Sequence, residues 1–198
     1  MLGILLGGRI GYVLFYNLAF YLSDPTKIFY LWQGGMSFHG GLIGILLVML
    51  IFCKKYKIPF LNFTDLICAA APIGIFLGRI TNFLNGELWG RPSNLPWAIN
   101  FKCAGNITRH PSQLYEAFLE GIIIFTIIYL LINKLKLLNY PGRVSGVFCF
   151  SYGLFRIIIE FFREPDTQIG FIIFNFTMGM TLSLPLLLIG MFLLIKKK

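Results

Sequence analysis

Charge is what this sequence has least of: 17 basic and 8 acidic residues stand among 198, against a hydrophobic share of 57% and a mean hydropathy of +0.78. A chain so poor in charge cannot wet the surface of a soluble domain, which excludes that class and places it in a bilayer. Cysteine is also scarce. Cys53, Cys68, Cys103 and Cys149 show no paired metal-type spacing, and three of them lie in or beside apolar spans, so they read as packing residues. No internal repeat and no second soluble domain is visible. The net charge of +9 does not imply nucleic acid, because the lysines sit in short clusters between apolar runs, as loop charges of a membrane protein do. Glycine, by contrast, is abundant at 21 residues, and membrane bundles use small residues to bring helix backbones close.

Six apolar stretches are present, over about residues 2–22, 36–53, 66–84, 111–132, 144–162 and 177–195. Each approaches the roughly 20 residues that a bilayer core demands. The expected fold is an all-α polytopic membrane helix bundle of about six transmembrane helices, a single integral-membrane domain over 1–198 with an outer loop at about 87–109. The first stretch starts at Met1 without a positively charged leader or cleavage site, so it does not read as a cleaved signal peptide. Lys54, Lys55, Lys57, Lys134, Lys136, Arg143 and Lys196 to Lys198 fall on one side. Lys27, Arg91, Lys102, Arg109 and Arg163 fall on the other. The positive-inside rule then makes the first side, with the C-terminus, cytoplasmic.

Arg9, Arg79 and Arg156 lie within spans. Arg79 and Asn82 are three residues apart, so on a continuing helix they share a face and can hold one group, an anion by its chemistry. Gly86 and Gly90 break that helix and would bring Glu87 and Arg91 back over the same place. Tyr152, Arg156, Glu160 and Arg163, spaced by four, four and three, form one stripe. Arg156 sits about seven residues below the outer end, roughly 10 Å deep at the helical rise. An arginine there costs several kcal/mol unless paired or facing a wet cavity, so functional use is the default. An Arg156–Glu160 pair is the structural alternative, and it leaves Arg79 and Arg163 in need of partners that a phosphate would supply. His39 opens the second span beside Gly40 and Gly41, and at the same level as Arg79, Asn82 and Glu160 it is a candidate for proton handling. These groups together predict a polar cavity toward the outer face.

At these residues the chain resembles the bacterial prolipoprotein diacylglyceryl transferases. The blocks GGRIGYVLFYN (7–17), WQGGMSFHGGLIG (32–44), 78–91, RHPSQLYEAFLE (109–120), YGLFRIIIEFFREPD (152–166) and 177–179 look like the family's own, in the family's order. The resemblance implies an enzyme of the bacterial cytoplasmic membrane that moves the diacylglyceryl group of phosphatidylglycerol to the thiol of the lipobox cysteine in a prolipoprotein signal peptide. A thioether forms and glycerol phosphate leaves. Family roles carry over to His39, Arg79, Arg156 and Glu160 as catalytic residues, and to Arg79, Asn82, Glu87, Gly90, Tyr152 and Arg163 as substrate-binding residues.

In that chemistry His39 is the candidate thiol base; Arg79, Asn82 and Arg156 would hold the headgroup phosphate; and Glu160 and Glu87 would orient arginines or glycerol hydroxyls. No cofactor and no metal is expected, and the partners are phosphatidylglycerol, prolipoprotein signal peptides and membrane lipid, with no nucleic acid. Two departures from the family pattern stand out. Thr81 occupies a position where the family motif has glycine, and the family's first span, with a Trp-Tyr element, is expected to have no counterpart here. The rival class is a transporter or channel, whose path needs polar residues at every depth. Here they collect at the outer side, with Arg9 alone expected deeper toward the cytoplasm.

Overall fold

The computed structural model describes residues 2–16, 18–164 and 177–196, without the side chains of Phe15, Gln33, Phe38, His39, Cys103 and Met178. Two compact units divide the chain, Met1–Phe63 and Thr64–Lys198. Pro165 and Asp166, which end the block 152–166, lie outside the described residues.

The first unit is a pair of glycine-faced helices. Gly3, Gly7 and Gly11 recur every four residues along α1 (Leu2–Phe15), and Gly40 and Gly44 do so along α3 (Phe38–Tyr56), so each helix presents one bare stripe. The stripes meet. A Cβ on Gly11 would stand 2.8 Å from Gly40 Cα, and one on Gly40 or Gly44 would strike the carbonyl of Gly7 or Gly3. Ser37 caps α3, its side chain accepting from Gly40 N at 3.2 Å. Lys57, in the left-handed conformation at φ 54°, ends it. The expected first span is not one helix: α1 has 14 residues, about 21 Å long, and the chain resumes as the short α2 (Leu18–Ser23).

Arg9 also departs from expectation. It is buried in this unit, and its guanidinium donates to the carbonyls of Ile28 at 2.8 Å, Gly34 at 2.5 Å, Gly35 at 3.1 Å, Lys27 at 2.7 Å and Tyr30 at 3.2 Å. All five belong to the segment expected on the outer side, not the cytoplasmic one. A guanidinium offers five donors in a fixed fork, and here they tie an irregular loop to a helix.

The second unit holds α4 (Phe60–Asn85) from Thr64 onward and the long helices α5 (Ser112–Leu135), α6 (Arg143–Glu160) and α7 (Met178–Ile195). Of these, α4 and α5 are long and apolar enough to cross a membrane. Leu66, Ile73 and Leu77 of α4 are each about half exposed or more, as are Phe118 and Tyr129 of α5, an outer surface that suits lipid rather than water. The core is Ile124, Ile128, Val144 and Val147, with Tyr152 and Phe155 packed against it. Helices α6 and α7 approach through glycine: a Cβ on Gly153 would lie 3.0 Å from the Ser183 carbonyl, and one on Gly146 3.2 Å from that of Gly190.

Asp65, the only charge in the apolar half of α4, fixes the start of α6. Its buried carboxylate accepts from Gly142 N and Ser145 N, both at 2.7 Å, and from Ser145 Oγ at 2.6 Å. A carboxylate from another helix thereby satisfies the free N–H groups of the first turn and complements the helix dipole. Between α4 and α5 runs the expected outer loop, which carries a short hairpin, β1 (Ile99–Asn100) against β2 (Thr108–Arg109), with Ile99 opposite Arg109.

Candidate active site

Three arginines converge on three carboxylates inside the second unit. Helix α5 begins at Ser112, directly after Pro111, and turns into a π-helical stretch at Ala117–Ile123. Glu116 lies just before that stretch and Glu120 within it, both completely buried. Glu116 is the hub. Its Oε2 stands 3.0 Å from Arg79 Nε, and its Oε1 takes Arg156 Nη1 at 2.6 Å and Arg163 Nη1 at 3.2 Å. Glu120 is held more loosely, 3.5 Å from Arg79 Nη2 and 3.8 Å from Arg156 Nη1. Arg156 Nη2 reaches Glu160 at 3.4 Å, one turn on along α6.

Glycine makes room for these groups. Gly121 lets α5 close on α4, since a Cβ there would stand 2.7 Å from Phe76 Cβ. Gly179, in the first turn of α7, leaves space for the Glu160 carboxylate, whose atoms would lie 2.7–2.8 Å from an added Cβ. The helix N-terminus thus faces a negative charge, the favourable sign.

The stripe expected on α6 is present for Tyr152, Arg156 and Glu160. Arg163 is not on it. The helix ends at Glu160, and Arg163 sits beyond in a bridge with Gly90, its guanidinium returning to Glu116. The Gly90 N–H donates to the His110 carbonyl at 2.9 Å, and the Arg91 N–H to that of Phe162 at 2.9 Å. A Cβ on Gly90 would stand 2.5 Å from the Phe162 carbonyl oxygen and 2.7 Å from that of His110, so close backbone approach demands glycine. Arg91 Nε donates to the Arg163 carbonyl at 2.9 Å, while Arg109 reaches Glu164 at 3.0 Å.

Asn82 and Glu87 stand together at the C-terminal end of α4. Asn82 Nδ2 and Asn85 Nδ2 each lie 3.4 Å from a Glu87 carboxylate oxygen, and Gln113 Nε2 donates to the Glu87 carbonyl at 2.5 Å. Thr81 is exposed and bonds back to the Leu77 carbonyl at 2.9 Å, away from the cluster. Tyr152 stacks on Phe148 at 5.8 Å beside the core. The backbone of His39 is the second residue of α3, and its side chain lies outside the described residues.

Glu116 and Glu120 escaped sequence reading, which left Arg79 and Arg163 without protein partners. A signal existed: they are the only charges in the apolar run from Leu114 to Ile132, and buried carboxylates at that depth require cations.

Apolar helices enclosing paired guanidiniums and carboxylates define the class, a membrane protein with a buried ionic site. The sequence matches the family described as prolipoprotein diacylglyceryl transferase over residues 1–196. A Rhodopseudomonas palustris protein named phosphatidylglycerol–prolipoprotein diacylglyceryl transferase is 55% identical over 98% of this chain and 68% of its own length. Proteins of the same name are 54% identical in Beijerinckia indica, over 98% of this chain and 72% of their counterpart, and 53% identical in Azospirillum brasilense, over 98% and 73%. The chain belongs to the prolipoprotein diacylglyceryl transferase family, and it is a membrane transferase.

Proposed function

We propose that the chain transfers the diacylglyceryl group of phosphatidylglycerol to the lipobox cysteine thiol of prolipoprotein signal peptides. The observation that carries this reading is the convergence of Arg79, Arg156 and Arg163 on fully buried carboxylates within lipid-facing helices of a family whose name states this chemistry. The thiolate sulfur attacks the glyceryl carbon, the C–O bond to phosphate breaks, and glycerol phosphate leaves with the electron pair. Arg79, Asn82 and Arg156 hold the phosphate as its charge grows, because oriented guanidiniums in a dry site stabilise that charge strongly. His39 takes the thiol proton. Glu160 holds Arg156, Glu87 holds Asn82, Gly90 and Arg163 set the loop against α6, and Tyr152 lines the substrate side.

The same reading has residues 1–198 as one integral-membrane domain with six spans: α1 with α2, then α3 to α7, and a cavity opening to the outer face at loop 87–109. The protein then resides in the bacterial cytoplasmic membrane with its C-terminus cytoplasmic, as the lysine distribution favours. Phosphatidylglycerol with a labelled glycerol headgroup tests the function. Water-soluble labelled glycerol phosphate should appear only when a lipobox peptide is supplied, and peptide-independent release would contradict a transfer to thiol.

A further inference from the structure

With all six groups ionised, the ionic cluster is neutral. Arg79, Arg156 and Arg163 supply three positive charges, and Glu116, Glu120 and Glu160 three negative ones. A phosphodiester headgroup that enters this site, as the proposed function requires, adds one negative charge to a buried group of residues. An uncompensated charge in such surroundings costs several kcal/mol, and a carboxylate that takes a proton removes that cost.

The three carboxylates are not equally placed to do so. Glu116 receives three guanidiniums at 2.6–3.2 Å. Glu160 faces Arg156 and the first turn of α7. Glu120 is completely buried, neither of its oxygens has a hydrogen bond among the described residues, and its two arginines stand at 3.5 and 3.8 Å. The charged and titratable groups facing it are Arg79 from α4, Arg156 and Tyr152 from α6 and Glu116 from its own helix. Arg79 reaches Glu116 through Nε and Glu120 through Nη2, so its longer contact is the one to Glu120.

We propose that Glu120 is the charge-compensating residue of the reaction: it takes up one proton from the medium as the anionic headgroup binds to Arg79 and Arg156. The balance is one anion and one proton gained, with no net change in cluster charge. Protonated Glu120 releases Arg79 Nη2, and the phosphate replaces it as acceptor there and beside Arg156, whose Nη1 stays on Glu116 at 2.6 Å. Binding therefore hands over the donors needed for the departing phosphate, and Glu120 acts through the arginines as a positioning residue.

Calorimetric titration of the detergent-solubilised full chain with short-chain phosphatidylglycerol, in buffers of different ionisation heat at mildly alkaline pH, counts protons taken up per lipid bound. The expected count for the unaltered protein approaches about one, and for Glu120→Gln it falls to about zero while binding persists. Infrared difference spectra supply a second readout that does not depend on a variant folding. Lipid addition to the unaltered protein should raise a protonated carboxylic acid band. Binding without proton uptake and without that band overturns the inference, as does unchanged uptake in Glu120→Gln. Absence of any lipid binding instead overturns the headgroup site on which the inference rests.

Discussion

Arg156 Nη1 lies 2.6 Å from Glu116 Oε1, a contact between α6 and a completely buried carboxylate of α5. Two other arginines share the same carboxylate, so its neutralisation leaves three guanidiniums short of an acceptor. Glu116→Gln should destabilise the protein by about 3–5 kcal/mol, the usual result of removing one partner of a buried pair. The exposed half of the Arg109–Glu164 pair is the control: Glu164→Gln should cost less than about 1 kcal/mol. Thermal unfolding in detergent measures both, and equal effects would contradict the hub.

Asp65 caps α6 from a distance of 77 positions in sequence through its bond to Gly142 N. Asp65→Asn turns an amide N–H₂ toward backbone donors and weakens the cap by about 1–3 kcal/mol. The expected outcome is a lower unfolding temperature with α6 the first helix to exchange its amide protons. Unchanged exchange along residues 143–146 would refute the cap.

Gly90→Ala places a methyl group into the Phe162 and His110 carbonyls. The bridge to Arg163 should open, and transfer activity should fall by about 10-fold or more as Arg163 loses its alignment on Glu116. Proteolysis in loop 87–109 reports the opening directly. Full activity with normal protection would show that the close approach is not needed.

In the first unit, Gly44→Leu drives a side chain into the Gly3 carbonyl, whereas Gly34→Ala meets nothing within 4 Å and disturbs only a positive φ of 81°. The first change should separate α1 from α3, and the second should leave that packing intact at a cost of about 1 kcal/mol. Cysteine pairs introduced on the two helices, tested for crosslinking in each background, distinguish the outcomes.

Helix positions were legible because apolar runs of bilayer length leave little choice of structure, and α3, α6 and α7 fall within about three residues of the expected spans. The i, i+4 spacing likewise placed Arg156 against Glu160. What spacing alone could not supply was partnership between helices. Glu116 and Asp65 act on residues far away in sequence, and their buried charges make sense only once α4, α5 and α6 are packed. Arg163 continued a helical rhythm on paper, yet Phe161 and Phe162 turn out of the helix because the Arg91 N–H takes the Phe162 carbonyl in a bridge to the outer loop. The break after Phe15 carries no glycine or proline signal, so the first apolar stretch read as continuous.

The central claim, that buried arginines stabilise the departing headgroup, is tested most directly at Arg156. Purified protein incubated with phosphatidylglycerol and a lipobox peptide should raise the peptide mass by one diacylglyceryl group, and Arg156→Ala should lower the rate by about 100-fold or more. Lysine at the same position keeps the charge but loses the fork, so Arg156→Lys should recover little. A folded Arg156→Ala protein that still modifies the peptide at the unaltered rate would contradict the account.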